Sequence, residues 1–425
     1  MTRIADVLGR RVWDSRGRPT VEAEIRLEGG ALGRAIAPAG ASTGSREARD
    51  LRDGGRAFGG LDVRRALGAV NGEMRAALRG MDVTDQAAID AKLIALDGTA
   101  ERARLGGNAL VAVSMACAQA AAAHAGLPLW RHLAGDRAVA LPVPQIQIFG
   151  GGAHASGRVD VQDYLVVCPG AGSFAEALEM TAEVYHAAGA RLAKKGTRAG
   201  VADEGGWWPS FRSNEEALGE LVAAITDAGL KPGADVAIAL DIAATQLLRG
   251  GRYHLALENR ALSADQMIVM LLRWCEAYPI VSIEDPLAED DHEGMRAFTR
   301  AAGAKLQVIG DDYLVTSAAR VKAAAAAGAC NAVLLKPNQA GTLTETFEAW
   351  RAAQDAGWRA VVSARSGETE DTTIVHLAVG WGVAQLKVGS FARSERMAKW
   401  NEGLRIEEAL GAKALPYPAR KLFRK

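Results

Sequence analysis

The chain has 425 residues, of which 49% are hydrophobic, so it is long enough to hold more than one core. Its 50 basic and 50 acidic residues balance, which removes the electrostatic argument for a nucleic-acid or membrane-surface partner. It has no apolar signal segment near its N-terminus, no bilayer-length apolar run and no closely spaced cysteines, so we expect a cytoplasmic protein whose four cysteines are reduced core residues.

The first third of the chain predicts a small α+β domain. A Gly/Pro turn, an alternating stretch that ends at residue 27 and a Gly-Gly turn predict an antiparallel sheet. Alanine- and leucine-rich stretches from about residue 63 to 132, broken at glycines, predict helices packed on that sheet. Prolines in the segment 141–144 predict a stiff linker, which divides the chain into a capping domain at 1–135 and a catalytic domain at 141–425.

A loop of small residues at 39–44, Ala-Gly-Ala-Ser-Thr-Gly, separates the predicted sheet from these helices. Its glycines permit close approach to a ligand and large movement, as in a lid over a site. A plain surface turn explains the same composition, and both interpretations stay open on the residues alone.

Eight short apolar strands follow the linker, and helical stretches fill the longer gaps between them. The predicted strands are 145–149, 164–168, 236–241, 281–284, 306–309, 332–336, 360–363 and 384–387, with helices such as 174–195, 214–228 and 264–277. This alternation is typical of an α/β barrel whose C-terminal rim holds the chemistry. The first two strands are too close for a helix between them, so we expect the barrel to begin irregularly.

Charged residues stand at the ends of several of these strands. Asp241, Glu284 and Asp311 follow three successive strands and offer hard oxygen ligands of the kind that Mg²⁺ prefers. Lys336 ends the next strand, where metal charge and a second lysine, Lys387, would lower its pKa and make it a base. Structural salt bridges are the alternative explanation for each of these residues.

The strand that ends at residue 363 leads into an arginine and hydroxyl side chains, which suit a phosphoryl group. Two glycine-containing loops, at 151–155 and 202–206, complete the set of candidate site segments. The first carries His154, which beside a glycine run is a candidate for a closing lid, although a lone histidine is more often structural.

Taken together, these motifs resemble enolase, the magnesium-dependent family that interconverts 2-phosphoglycerate and phosphoenolpyruvate. The resemblance runs almost from end to end, through Asp14-Ser15-Arg16-Gly17, Ala41-Ser42-Thr43-Gly44, Asp203-Glu204-Gly205-Gly206, Ser282-Ile283-Glu284-Asp285-Pro286 and Arg365-Ser366-Gly367-Glu368-Thr369-Glu370-Asp371. The motifs separate the chain from the acid-sugar dehydratases and racemases of the wider superfamily, in which a lysine or histidine base acts with magnesium. The fold that the resemblance implies is an N-terminal α+β domain followed by an enolase-type α/β barrel.

The resemblance also implies roles for the strand-end residues. Asp241, Glu284 and Asp311 would hold one Mg²⁺, and Ser42 on the mobile loop would help to hold a second with the substrate phosphoryl group. Lys336 would remove the proton next to the substrate carboxylate. The metals and Lys387 would stabilise the resulting aci-carboxylate.

On the leaving-group side, the resemblance implies that Glu204 assists departure of the 3-hydroxyl, with His154 and Gln162 nearby. Asp163 stands where enolases have a glutamate that also assists there. The phosphoryl end of the substrate would lie against Ser363, Ala364, Arg365 and Ser366.

Several of these positions depart from the family pattern. Besides Asp163, Ala364 replaces a histidine, and Ala39, Gly150 and the Trp207-Trp208 pair also differ. An acid shortened by one methylene can misplace a proton donor by about 1 Å, at a cost of roughly a hundredfold. A charged or polar side chain at position 364 would be worth on the order of a few kcal/mol in the transition state, and the alanine opens space beside the phosphoryl group. We therefore expect a reshaped pocket.

The leading hypothesis is a magnesium-dependent hydro-lyase that dehydrates a 2-phosphoglycerate-type substrate with a modified phosphoryl group. A concrete candidate is an enolase relative that makes carboxyphosphonoenolpyruvate in phosphinate natural-product biosynthesis. An ordinary glycolytic enolase and a non-catalytic binding protein on an enolase scaffold are the alternatives. We expect a small phosphorylated or phosphonylated carboxylate and a second copy of the chain as partners, and neither nucleic acid nor membrane.

Overall fold

An antiparallel sheet and a layer of helices form the N-terminal part of the chain in the computed structural model, which describes residues 1–423. The strands Ile4–Trp13, Pro19–Leu27 and Leu32–Ile36 pair in chain order. The helices are Arg64–Ala69, Arg75–Leu78, Gln86–Asp97, Gly107–His124 and Leu129–Ala134, with a π turn at Val70–Met74 and a 3-10 turn at Ala57–Gly60. The predicted sheet and helices are present, and the sheet has an additional first strand.

The long helix Gly107–His124 packs closely on the sheet because small residues face each other there. Most of its alanines are fully buried. A side chain at Gly33, on the third strand, would put its Cβ 2.2 Å from the backbone oxygen of Ala116 and the backbone nitrogen of Ala120. Only glycine permits this approach, so the alanine-rich pattern serves close packing between helix and sheet.

Eight strands form a closed barrel in the rest of the chain. They are Val143–Gly150, Asp163–Val167, Ala237–Asp241, Ile280–Glu284, Gln307–Gly310, Ala332–Leu335, Arg359–Ser363 and Gln385–Ser390. The last strand pairs with the first, which closes the sheet. The second strand runs antiparallel to both of its neighbours, and the other neighbouring pairs are parallel. The predicted α/β barrel with an irregular start is therefore confirmed.

Helices cover the outside of the barrel, and many begin at a serine or threonine. The longer ones are Phe174–Lys194, Asn214–Asp227, Ala264–Ala277, His292–Ala302, Ala318–Ala327, Leu343–Asp355, Thr373–Trp381 and Ser394–Leu410, and the short ones are Pro337–Ala340 and Ala419–Phe423. The Ser263 side chain accepts a hydrogen bond from the Gln266 backbone, and Gln266 completes a capping box. Within residues 1–423, none of the helices combines the length and apolarity that crossing a membrane requires.

Several short elements were not predicted. A hairpin of Arg198–Val201 and Trp207–Pro209 extends the sheet beside the first barrel strand. A small separate sheet contains Leu248–Arg249, Arg252–Leu255 and Arg260–Leu262, and 3-10 turns lie at Gly152–Ala155, Ala244–Leu247, Ala256–Glu258 and Gly411–Lys413.

The segment 141–144, predicted as a linker, partly belongs to the barrel. Pro144 lies inside the first barrel strand, where it is opposite Leu386 of the last strand. The limits of the two domains at 135 and 141 stay a prediction.

All four cysteines are free thiols, and Cys275 differs from the other three in being only partly buried.

Candidate active site

A small space at the C-terminal mouth of the barrel is enclosed by most of the predicted site residues. Its lining consists of Gly40, Ala41, Ser42, His154, Gln162, Glu204, Asp241, Lys336, Ser363, Ala364, Arg365, Ser366 and Lys387. The space measures about 10 Å³, which is room for roughly one water molecule. Part of this lining must therefore move before any ligand larger than a water molecule can enter.

A larger cavity, of about 830 Å³, lies at the opposite end of the barrel. Its walls include Pro279, Leu306 and Arg359, which stand at or before the beginnings of barrel strands, and Phe423 of the last helix. None of the predicted site residues lines it. Catalytic residues of α/β barrels lie at the C-terminal face, so the small cavity is the candidate active site despite its volume.

Lys387 lies at the centre of the buried acids. Its Nζ is 2.8 Å from Asp241 Oδ2, 2.9 Å from Glu284 Oε2 and 3.3 Å from Asp163 Oδ2. Asp241 and Glu284 face each other in register across the third and fourth strands, which puts both carboxylates beside the one amine. Burial disfavours the charged form of Lys387, but these acids outweigh it and hold its pKa well above the usual range.

Lys336 pairs with Asp311, the third acid of the predicted metal site. The Lys336 Nζ donates a hydrogen bond to Asp311 Oδ2, and both side chains are buried. Burial disfavours the ammonium group, but Asp311 outweighs it and raises the pKa of Lys336. The lowered pKa expected for this lysine is therefore not found while Asp311 is its partner. Lys336 can act as a base only when Asp311 interacts with another cation and no longer stabilises the ammonium form of the lysine.

The negative charge at the rim exceeds the positive charge. Burial raises the pKa of Glu284 well above its usual range, and the carboxylates of Asp241 and Asp311 raise it further, against the opposing effect of Lys387. Several carboxylate oxygens thus lie close together with too few cations beside them. A divalent ion would reduce the repulsion between these carboxylates. Among the described residues, however, the groups of candidate ligands whose atoms lie within 4.8 Å of one another are His154, Asp163 and Glu204, and Asp285, Asp311 and Asp312. The predicted trio Asp241, Glu284 and Asp311 is not one of these groups, since Lys387 pairs with the first two acids and Lys336 with the third.

Asp285, next to Glu284, has a structural role at this rim. It takes a left-handed backbone conformation with φ of 42°, and its carboxylate accepts hydrogen bonds from the backbone nitrogens of Asp311 (2.9 Å) and Asp312 (2.7 Å). One carboxylate oxygen from each of Asp285, Asp311 and Asp312 lies within 4.8 Å of the other two. Burial and Asp311 raise the pKa of Asp312 to about 8. Asp285 thus fixes the turn that presents Asp311.

On the side of the cavity where the leaving group was predicted to lie, a histidine stands between two acids. His154 Nδ1 is 3.1 Å from Asp163 Oδ1, and His154 Nε2 is 3.7 Å from Glu204 Oε1. His154 and Glu204 line the cavity, whereas Asp163 is fully buried behind them. Gln162 also lines the cavity, and its Nε2 donates a 3.0 Å hydrogen bond to Asp241 Oδ2.

The side of the cavity that was predicted to hold a phosphoryl group is organised around Arg365. Its Nη1 is 2.9 Å from Glu47 Oε2, and its Nη2 donates a 2.8 Å hydrogen bond to the backbone oxygen of Ser42 on the loop. A Cβ at Gly40 would lie 2.0 Å from the same Nη2, so only glycine permits this arrangement. The guanidinium therefore ties the loop of the N-terminal domain to the barrel rim.

Sequence reasoning missed Glu47 and Gln339. Gln339 Nε2 is 2.9 Å from Asp311 Oδ1 and 3.2 Å from Glu47 Oε1. Its Oε1 accepts a 2.6 Å hydrogen bond from Thr316, whose Oγ1 also accepts from the Lys336 backbone nitrogen. The one signal available was spacing, because Gln339 follows Lys336 by three residues and so lies one helical turn further on.

The positions that depart from the family pattern do not all face the cavity. Ala364 lines it, between Ser363 and Arg365. Trp207 instead stacks on Tyr185 with ring centroids 4.8 Å apart, and Trp208 lies under the guanidinium of Arg158 at 5.0 Å. Neither tryptophan is among the lining residues, so the reshaping expected from them is not found at the cavity wall.

The remaining departures are at backbone contacts. Ala39 exchanges two 2.8 Å hydrogen bonds with Gly367, which holds the base of the loop against the barrel. A Cβ at Gly150 would lie 2.5 Å from the Cβ of Ala202, so the glycine lets two neighbouring segments approach. These substitutions affect how loops pack rather than which groups face the cavity.

A closed barrel whose strand ends bring acids and lysines together, under a loop from a smaller α+β domain, is the arrangement expected of the enolase superfamily. The family model of the enolase N-terminal domain matches residues 4–133, and that of the enolase C-terminal TIM barrel domain matches residues 138–425. The chain belongs to the enolase family.

Proposed function

We propose that the protein is a magnesium-dependent hydro-lyase that removes water from a 2-phosphoglycerate-type carboxylate and leaves an enol product. The observation that carries this proposal is the meeting of Lys336, Asp241 and Arg365 at one cavity. An amine that can take a proton, a carboxylate that can hold a metal and a guanidinium that can hold a phosphoryl group are what such a dehydration needs.

In the proposed reaction, Lys336 takes the proton from the carbon next to the substrate carboxylate. Mg²⁺ held by Asp241, Glu284 and Asp311, with a second ion near Ser42, would supply positive charge to the carboxylate and phosphoryl oxygens. Because Asp311 raises the pKa of Lys336, any interaction that draws Asp311 away favours the neutral amine.

We also propose that the phosphoryl end of the substrate is modified. Arg365 and Ser366 are retained, and the methyl group of Ala364 lies between them and Ser363 in the cavity wall. A side chain that ends at Cβ leaves room beside the phosphorus atom that a histidine would fill. A phosphonate or phosphinate with a carboxylate on phosphorus fits this description, and carboxyphosphonoenolpyruvate is the concrete candidate product.

A substrate panel tests this proposal. The purified protein with Mg²⁺ would be given 2-phosphoglycerate and its analogues in which a carbon substituent replaces one phosphoryl oxygen, and enol formation would be followed by ultraviolet absorbance. We expect a higher kcat/KM for a phosphorus-modified analogue than for 2-phosphoglycerate. Turnover of 2-phosphoglycerate at the efficiency of a typical enzyme, about 10⁴ M⁻¹s⁻¹ or more, with no gain for the analogues would contradict it.

The ordinary enolase reaction is the second candidate. The specific observation in its favour is that the acids and lysines at the rim are all present and buried together. The same retention argues against a non-catalytic binding protein, because buried charges that serve no reaction are costly to keep. Turnover of any member of the panel that depends on Lys336 would exclude the non-catalytic alternative.

A further inference from the structure

Asp163 lies behind His154 instead of in the cavity. It is fully buried, and the lining of the cavity contains His154 and Glu204 but not this acid. Its Oδ1 accepts a hydrogen bond from Gln147 Nε2 and is 3.1 Å from His154 Nδ1. Its Oδ2 is 3.3 Å from Lys387 Nζ. Oδ1 is thus hydrogen-bonded, whereas Oδ2 has the ion pair with Lys387 and no hydrogen bond within residues 1–423. Asp163 is not part of the wall where a substrate would lie.

The contact with Asp163 decides which nitrogen of His154 carries a proton. A carboxylate beside Nδ1 favours the tautomer with the proton on Nδ1, and it also stabilises the doubly protonated ring. Nε2 is then the nitrogen on the cavity side, 3.7 Å from Glu204 Oε1. Burial disfavours the charged ring, but Glu204 and Asp163 outweigh it and raise the pKa of His154.

The backbone around His154 is also held. Its nitrogen donates to the Gly151 oxygen at 3.0 Å, and its oxygen accepts from the Asp203 nitrogen at 3.1 Å. The first bond lies within the glycine loop, and the second joins that loop to the one that carries Glu204. The imidazole is therefore fixed by its own loop, by the neighbouring loop and by the carboxylate on Nδ1.

We propose that Asp163 is a positioning residue and that His154, through Nε2, donates the proton to the departing hydroxyl group. This inference rests on the proposed dehydration. The proton on the carbon next to the carboxylate goes to Lys336 Nζ, and the electron pair of that bond forms the new double bond. The hydroxyl leaves with the electrons of its bond to carbon and takes the Nε2 proton, so that it departs as water.

The protons balance over a turnover. Lys336 has gained one and His154 has lost one, and exchange with water restores both without another reactant. During the step, Asp163 keeps the Nδ1 proton of His154 in place, so the ring that has lost its Nε2 proton is already the correct tautomer. Glu204 faces the same nitrogen and can accept a hydrogen bond from it before the transfer.

The length of the acid matters for this arrangement. An additional methylene would move the carboxylate by about 1 Å, which is enough to lose the bond to Nδ1 or to push the acid into the cavity. With the shorter aspartate the carboxylate stays on Nδ1 behind the histidine, and His154 is left facing the cavity beside Glu204.

The test is nuclear magnetic resonance of the Mg²⁺-loaded full chain labelled with ¹⁵N-histidine, together with pH profiles of kcat/KM. The protein has 7 histidines, and the His154→Gln variant assigns the His154 signals. In the native protein, at pH values above the pKa of His154, we expect the neutral ring to carry its proton on Nδ1. In Asp163→Asn we expect this tautomer preference to be lost and the pKa of His154 to fall.

The pH profile follows from the same charges. The charged groups around His154 are Asp163, Glu204 and Asp241, with Lys387 on the far side of Asp163. Activity that needs the protonated ring is lost as pH rises through the pKa of His154, so the alkaline limb should move to lower pH in Asp163→Asn. The control is Glu179→Gln, a change at an exposed position of the helix Phe174–Lys194. It should change neither the tautomer of His154 nor the alkaline limb of the pH profile of kcat/KM.

The outcomes separate this inference from the proposed function. If the panel gives turnover but Asp163→Asn changes neither the tautomer nor the alkaline limb, the positioning role is wrong and the dehydration stands. If the tautomer depends on Asp163 but no substrate is turned over, the positioning is supported and the proposed function fails. If His154→Gln keeps native kcat, the donor role is wrong.

Discussion

Arg365 of the barrel and Glu47 of the N-terminal part of the chain form a buried ion pair, with Nη1 and Oε2 2.9 Å apart. Both side chains are almost completely shielded from solvent. Glu47 Oε1 also accepts a 2.8 Å hydrogen bond from the backbone nitrogen of Gly44, the last residue of the small-residue loop. One carboxylate therefore joins the loop to the guanidinium that we assign to the phosphoryl group.

We predict that Glu47→Gln destabilises the protein and weakens substrate binding. The change removes the nearest counter-charge of the buried guanidinium of Arg365 and leaves the more distant Asp311 and Asp312. Breaking one partner of such a pair costs about 3 kcal/mol. Urea unfolding and the KM for the preferred substrate of the panel would measure the two effects. Glu101→Gln is the matched control, because its pair with Arg49 is exposed and is worth less than about 1 kcal/mol. Equal effects of the two changes would contradict the prediction.

We predict that Gly40→Ala prevents the loop from closing. The added Cβ would lie 2.0 Å from Arg365 Nη2 and 2.7 Å from the Ser42 backbone oxygen, so the loop must change its conformation and either it or the guanidinium must leave its present position. We expect kcat/KM to fall by about tenfold to a hundredfold, with little change in the free energy of unfolding. Gly219→Ala is the control: it adds a methyl group in open space on a helix and should stabilise the protein by up to about 1 kcal/mol.

The fold was predictable from the sequence because each barrel strand is a short apolar segment between helices. The site was predictable because Asp241, Glu284 and Lys336 stand where such strands end, and parallel strands bring their ends to one rim. Charge pairing was not predictable in the same way. Which lysine pairs with which acid depends on distances across the barrel, and strand order alone does not give them.

The residues that were missed act through partners far away in the chain. Glu47 contacts Arg365 across 318 positions and Gln339 across 292, and no periodic pattern or local motif marks such a contact. Trp207 and Trp208 were misinterpreted for a related reason. They neighbour a predicted site loop in sequence, but their strand directs them onto Tyr185 and Arg158. A residue that is close in sequence to a site loop therefore need not direct its side chain toward the site.

We predict that Lys336→Ala lowers kcat by a factor of about 10² to 10⁴, the usual contribution of a positioned base. Exchange of the substrate proton next to the carboxylate with deuterated water, followed by proton magnetic resonance, should also be lost. Lys195→Ala is the control, since this lysine pairs with Glu220 outside the barrel and faces no cavity residue. Exchange that continues in Lys336→Ala would show that another group removes the proton.

We predict that Ala364→His shifts substrate preference toward 2-phosphoglycerate. We predict that Asp163→Glu adds to the shift, because the longer side chain would leave His154 Nδ1 and place its carboxylate in the cavity, as in the family pattern. The imidazole at position 364 would fill the space beside the phosphoryl group next to Arg365, where the chain has a methyl group. A crowded wall should reject a substituent on phosphorus, while a new hydrogen-bond donor should favour an unmodified phosphoryl group by about 1 to 3 kcal/mol. The measurement is the ratio of kcat/KM for 2-phosphoglycerate to that for the best modified analogue, in each single variant and in the double variant. If the ratio stays constant in all three, Ala364 does not set the preference, and the altered phosphoryl end must be sought in how the loop at 40–42 closes.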